Sequence, residues 1–179
     1  MIPDEKQVAS LHKKYGSTKR ILTHCKACAW LSRMLVQRAG ARGNPVNERA
    51  VVAGALLHDI GRTQTQDAGH GHVGAAMLER EGVDSVVTNI VRRHVGAGIS
   101  REEAAKLGFP EGEYVPQTLD EKIVCFADKM LDGEKARPFE EEVKRFVRKG
   151  HDVERLKRLK EEVSQAVGED AEKLVLSSS

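Results

Sequence analysis

No stretch of this 179-residue chain sustains the roughly 18 consecutive apolar residues that a bilayer-spanning helix requires, so no membrane partner is expected. Its opening residues, MIPDEKQVASLHKK, lack the apolar core of a secretory signal. Cysteine is scarce and odd in number, at three, which argues against a disulfide framework and for a reducing, cytoplasmic setting. Charge of one sign is also lacking. Lysine and arginine number 29 against 27 acidic residues, a net +2 that gives no case for nucleic acid or an anionic surface. No specific nucleic-acid partner is expected, and any grip on phosphate must come from locally placed cations. Alternating strand patterns are missing too.

What is present is helical periodicity. From about Lys19 to Ala39, Ile21, Leu22, Cys25, Cys28, Ala29, Leu31, Leu35 and Val36 form a broad apolar stripe. The GARGNP segment breaks that helix, and Asn47 is placed to cap the next. The second helix carries AVVAGALL, apolar nearly all round, so it belongs at the centre of a bundle. Gly61 is expected to stop it just beyond His58 and Asp59. A third helix is predicted from near Val73 to before Gly82, and a fourth from about Ser85 to His94. Ser100 with Glu103, and Thr118 with Glu121, read as capping boxes. After Pro138 a charged helical pair divides near Gly150, its apolar positions recurring at helical spacing. The expectation is an all-α single domain over residues 1–179, with terminal helices covering its core at about 138–175.

The sharpest chemical feature is His58-Asp59 in LLHDIGR. An imidazole beside a carboxylate at the end of a core helix costs several kcal/mol, roughly, unless the two are paired or hold a cation. A helix-end histidine with a capping aspartate is the competing structural reading. Four further residues tilt the balance: His24 on the preceding amphipathic helix, Asp128 within KIVCFADKML, His70 at the head of HGHVGAAML, and His94 where a helix stops. Histidine and aspartate together suit Fe, Mn, Co or Zn. This set suffices for one ion, or for two bridged by Asp59, and a two-metal site clamps both oxygens of a phosphoryl displacement. Arg62 follows the doublet and can grip phosphate, and Lys129 adjoins Asp128. Lys19, Arg92, Arg93 and Lys122 are further cations, each read more readily as a solvated surface charge. Cys25 and Cys28 form a CxxC without a second pair, so core filling is expected, and Trp30 is expected to pack.

The ordered set His24, His58-Asp59, Asp128, with the tetrad His58-Asp59-Ile60-Gly61, resembles the HD/HDIG phosphohydrolase superfamily over roughly residues 18–135. His70-x-x-x-Gly74-Ala75 and His94 further resemble its two-metal branch, which includes symmetric diadenosine tetraphosphate hydrolases and cyclic-dinucleotide phosphodiesterases. The GYP motif of the latter is absent. Motif order and length also resemble small archaeal HDIG proteins of no established substrate. The resemblance implies His24, His58, Asp59 and Asp128 around a first metal and Asp59, His70 and His94 around a second, with His72 in reserve. It implies metal-dependent hydrolysis of a phosphate ester or anhydride, with nucleotides favoured and a homodimer possible. Asp59 and Arg62 would be catalytic, and Arg62 and Lys129 would contact substrate. Two alternatives stay open: a di-iron oxygenase of the same fold, and a non-catalytic nucleotide-binding or regulatory module.

Overall fold

The computed structural model describes residues 1–178. Ten α-helices are ordered along them: α1 (Glu5–Lys14), α2 (Lys19–Ala41), α3 (Glu48–Leu57), α4 (His70–Arg80), α5 (Ser85–Arg93), α6 (Arg101–Lys106), α7 (Leu119–Lys129), α8 (Phe139–Lys149), α9 (Val153–Val167) and α10 (Ala171–Ser177). A 3-10 turn spans Ile60–Thr63, and a small antiparallel hairpin pairs β1 (Leu131–Asp132) with β2 (Lys135–Ala136). The protein is all-α apart from that hairpin. Among the described residues, no helix is long and apolar enough to cross a membrane.

Helix α3 is the hub, packed against α1, α2, α5 and α7. Its Ala50, Val51, Ala53, Gly54, Ala55 and Leu57 are all buried. Gly54 lets α5 come close, since a Cβ there would meet Ile90 at 2.6 Å. One apolar cluster joins Leu35, Ala55, Ile90 and Phe126 to Phe139, Phe146, Leu156 and Val175 from the C-terminal helices. A second gathers Val8, Leu57, Ile60, Leu78 and Val87 on another face of α3, with Ala50 and Ala53. Asn47 caps α3, and the capping boxes of α6 and α7 form, each cap contributing about 1 kcal/mol.

Several boundaries differ from the sequence expectation. Helix α3 ends at Leu57, before the His58-Asp59 doublet. Gly61 does not stop it through a left-handed cap. It lies in the 3-10 turn, where a Cβ would stand 2.0 Å from the His70 carbonyl oxygen and 2.7 Å from the Gly74 nitrogen. Its role is to let that turn touch α4. Helix α4 begins at His70, not Val73, and its N-cap Gly69 has no side-chain cap to advertise the start. Trp30 is 53% exposed, correcting its expected packing: its position on α2 faces away from the stripe that contains Cys28 and Leu31. Cys25 and Cys28 are buried as expected.

Candidate metal centre

Five stretches of chain converge on one point. His24 comes from the second turn of α2, His70 from the first position of α4, and Asp128 from the last turn of α7. His58 and His94 are the residues immediately following α3 and α5. Neighbouring side chains on a helix diverge by about 100°. Asp59 escapes that limit because the backbone leaves the helix there, at φ −97° and ψ 11°.

The four imidazoles are oriented in one way. In each ring Nδ1 faces a backbone carbonyl: Gly133 for His24 at 2.6 Å, and Ala55, Asp67 and Val91 for His58, His70 and His94 at 2.7 Å. A carbonyl only accepts, so Nδ1 donates in every case, and in a neutral ring Nε2 keeps a bare lone pair. Three of those carbonyls lie three residues before the histidine, at a helix end or turn. The fourth is presented by the hairpin tip, where Gly133 adopts φ 62°. Carbonyls in this role hold metal-binding histidines in position.

The bare nitrogens then meet head-on. His24 Nε2 is 3.1 Å from His58 Nε2, and His70 Nε2 is 3.1 Å from His94 Nε2. Two lone pairs at that separation repel unless a proton or a cation lies between them. The carboxylates supply the counter-charge. Asp128 Oδ1 is 2.9 Å from His24 Nε2 and 3.6 Å from His58 Nε2. Asp59 spans the two pairs: Oδ2 is 3.8 Å from both His24 and His58, while Oδ1 is 3.1 Å from His70 and 3.5 Å from His94. Asp59 Oδ1 is buried and makes no hydrogen bond of acceptable geometry, although Arg62 Nε stands 2.7 Å away. An orphaned carboxylate oxygen facing bare imidazole nitrogens is a donor set for divalent cations. The groups whose ligand atoms lie close enough to share an ion are His24, His58 and Asp59, then Asp59, His70 and His94, then His58, His94 and Asp128. The residues thus fit the expected second set, while Asp128 approaches the first set through His24 and His58.

The surroundings favour positive charge here. Burial acts upward on the Asp59 carboxyl, yet the neighbouring His58, His70 and His94 hold it well below the usual carboxylate range. Burial likewise opposes ionisation of Asp128, but Lys129, with His24 and His58, holds it well below that range. Burial pushes the His94 imidazole down to about 4, leaving it neutral at pH 7.

The remaining expected residues scatter. Arg62 borders the centre with its Nε on Asp59. Lys129 is buried, its Nζ 2.6 Å from Asp128 Oδ2, so it braces a candidate ligand as well as lining the site. His72 turns away to pack 4.5 Å from the Phe109 ring. Arg92 pairs with Glu79, Arg93 with buried Glu121, and Lys122 with Glu162. Lys19 is exposed. Sequence reasoning passed over Glu142, which is fully buried beside Arg137 and lines the site. The spacing Phe139, Glu142, Phe146 was the available signal, since it places a lone carboxylate on the apolar face of α8.

Over 176 residues the chain is 40% identical to a tRNA (cytidine(56)-2'-O)-methyltransferase of Thermoplasma volcanium, covering 97% of this chain and 51% of that protein. The chain thus spans about half the length of the curated relatives carrying that name. It is also 40% identical over 129 residues to an uncharacterised protein of Methanocaldococcus jannaschii, covering 72% of this chain and 76% of the other. Among solved structures, the phosphodiesterase PgpH HD domain of L. monocytogenes superposes with a TM-score of 0.53 at 16% identity, covering 88% and 95% of the two chains, a likeness of fold. The HD domain model matches residues 21–133, which include all six candidate ligands, and the chain belongs to the HD domain family.

Proposed function

We propose that this protein is a metal-dependent phosphohydrolase acting on a phosphate ester or anhydride of a nucleotide. The observation that carries the reading is the pair of Nε2–Nε2 contacts at 3.1 Å, joined through the two oxygens of Asp59. That arrangement is unfavourable without a proton or a cation between each pair, and its donor set is suited to two divalent ions. Divalent ions held there would polarise the phosphoryl oxygens and lower the pKa of water. The chain's own groups supply the rest. Asp59 joins the two imidazole pairs and is itself approached by Arg62, whose guanidinium is placed to meet a phosphoryl oxygen at the same edge. Lys129 holds Asp128 ionised and turned inward, and adds positive charge beside the developing phosphoryl charge.

The test is metal content by plasma mass spectrometry on untagged protein purified without chelator, followed by nucleotide hydrolysis with iron or manganese. About two ions per chain and divalent-dependent phosphate release are expected. No bound metal after reconstitution would sink the reading. Turnover that requires dioxygen, with a mixed-valence iron signal, would establish the oxygenase alternative instead. The relatives named as tRNA methyltransferases, about half of whose length this chain spans, bring RNA into consideration as substrate or partner, and RNA belongs in the same screen.

A further inference from the structure

One of the four carbonyls that orient the imidazoles is unlike the rest. Ala55, Asp67 and Val91 each lie three residues before the ring they hold, so ring and carbonyl share one turn of backbone. Gly133 lies 109 residues from His24, at the tip of the β1–β2 hairpin. His24 is also the most open of the four rings, its side chain 15% exposed against 4% or less for the others. Its tautomer is therefore set from outside its own helix, by a tip whose Asp132, Gly133 and Glu134 are exposed.

What holds the hairpin then bears on the ring. Its ladder has two pairs, Leu131 with Ala136 and Asp132 with Lys135, and so short a hairpin is marginal in water unless it packs on something. Strand β1 packs against α2 and α7, with Leu131 buried. At the exit of β2 the Arg137 N–H donates to the Met130 carbonyl at 2.9 Å. The Arg137 guanidinium pairs with Glu142 of α8, which is 1% exposed, borders the cavities over the centre and also faces Arg145 Nη1 at 3.6 Å. A buried carboxylate is costly unless cations match it, so this match ties residue 137 to α8. Phe139 and Phe146, on either side of Glu142, are buried in the main apolar cluster, so α8 is itself fixed. Arg137 and Glu142 lie beyond residue 133, where the family match ends.

Resting on the reading of the centre as a two-ion site, we infer that the hairpin and its Arg137–Glu142 brace are a positioning element for His24. They set how tightly the ion at His24, His58 and Asp59 is held. The ion at Asp59, His70 and His94 depends instead on carbonyls local to its own rings. Gly133 and Glu142 act through His24 as positioning residues, and the first ion is the more easily lost of the two.

Gly133 adopts φ 62°, and a Cβ there would meet nothing within 4 Å. Asparagine tolerates that conformation and valine does not, so Gly133→Val redirects the carbonyl without creating a clash. The experiment is calorimetric zinc binding to chelator-treated protein, with proton–nitrogen spectra of the metal-free imidazoles to read each ring's tautomer. Wild type is expected to take up two ions. Gly133→Val should weaken one step by about 10–100-fold, the usual effect of removing such an orienting group, and shift the His24 nitrogen signals alone. Gly133→Asn should restore both steps. Glu142→Gln should weaken the same step as Gly133→Val. Where that variant lacks a cooperative melt, Arg137→Gln carries the test, since Arg145 still faces Glu142. Unchanged binding in these brace variants would remove Arg137 and Glu142 from the positioning element. Two unweakened steps in Gly133→Val, or equal weakening of both, would overturn the inference and leave the two-ion centre standing. If wild type binds no zinc, the two-ion reading fails. A His24-only spectral change in metal-free Gly133→Val then still supports the positioning role, and an unchanged His24 overturns it.

Discussion

Each carboxylate oxygen of Asp59 faces a different imidazole pair, so its loss cannot be confined to one ion. Asp59→Ala is expected to strip both metals, whereas His70→Ala removes about one of two and His72→Ala removes neither; metal-to-protein ratios after gel filtration decide it. Full metal content in His70→Ala would exclude that residue as a ligand. The cluster's residue types were legible in the sequence because His58, Asp59 and Asp128 interrupt apolar runs, where an unpaired polar group is costly. Which way each ring points was not legible. The tautomers are set by carbonyls of Ala55, Asp67, Val91 and Gly133, and backbone direction leaves no trace in residue identity. Trp30 shows the converse failure, since an aromatic label says nothing about which side of a stripe it occupies.

Elements meet at this centre through close backbone contacts that periodicity does not encode. The 3-10 turn lies against α4 only because Gly61 and Gly74 face each other without side chains. Gly61→Ala would force a Cβ onto backbone atoms, which cannot move aside as a flexible side chain can. A loss of at least about 1–3 kcal/mol in chemical denaturation is expected, together with loss of the ion nearest His70. Wild-type stability with both ions retained would show that the turn can shift. Helix α1 docks by a different device. His12 Nε2 donates to the Leu56 carbonyl at the end of α3, while Nδ1 accepts from the Ser17 hydroxyl at 2.7 Å. Burial lowers the His12 pKa below its ordinary value of 6.5. The unfolded chain therefore protonates first as pH falls, so this stabilisation is present above about pH 6.5 and is lost below it. In chelator-treated protein, the melting-temperature advantage of wild type over His12→Gln should be greatest near pH 7.5 and shrink by pH 5.5. A constant advantage would place the titration elsewhere. Sequence located α2, α3, α5 and α7 through stripes and caps, but misplaced the start of α4 because Gly69 and Gly71 mask it.

Taken as a whole, the molecule does not stop where the family match does. Phe139, Phe146, Leu156, Val163, Val167 and Val175 share one buried cluster with Leu35 and Phe126, so we propose that the C-terminal helices fold with the rest as one domain. A chain ending at residue 137 keeps every candidate ligand yet loses that apolar cover. At about 1.5–3 kcal/mol per large side chain, the loss is comparable to the 5–15 kcal/mol of net stability usual for a domain. Circular dichroism of the truncated chain should show no cooperative melt; a sharp transition with metal retained would mark residues 138–178 as a separable unit. Helicity and the charged C-terminal pair could be read from spacing, while its share in the cavity walls depended on tertiary placement. The candidate ligands lie between His24 and His94 and at Asp128, while the cavities over the centre also draw on residues from Arg137 to Arg155. This separation bears on descent. On the proposed reading, substitutions on the α8 face alter which molecules are accepted while the candidate ligands stay unchanged, so lineages sharing the same centre are free to diverge in diet.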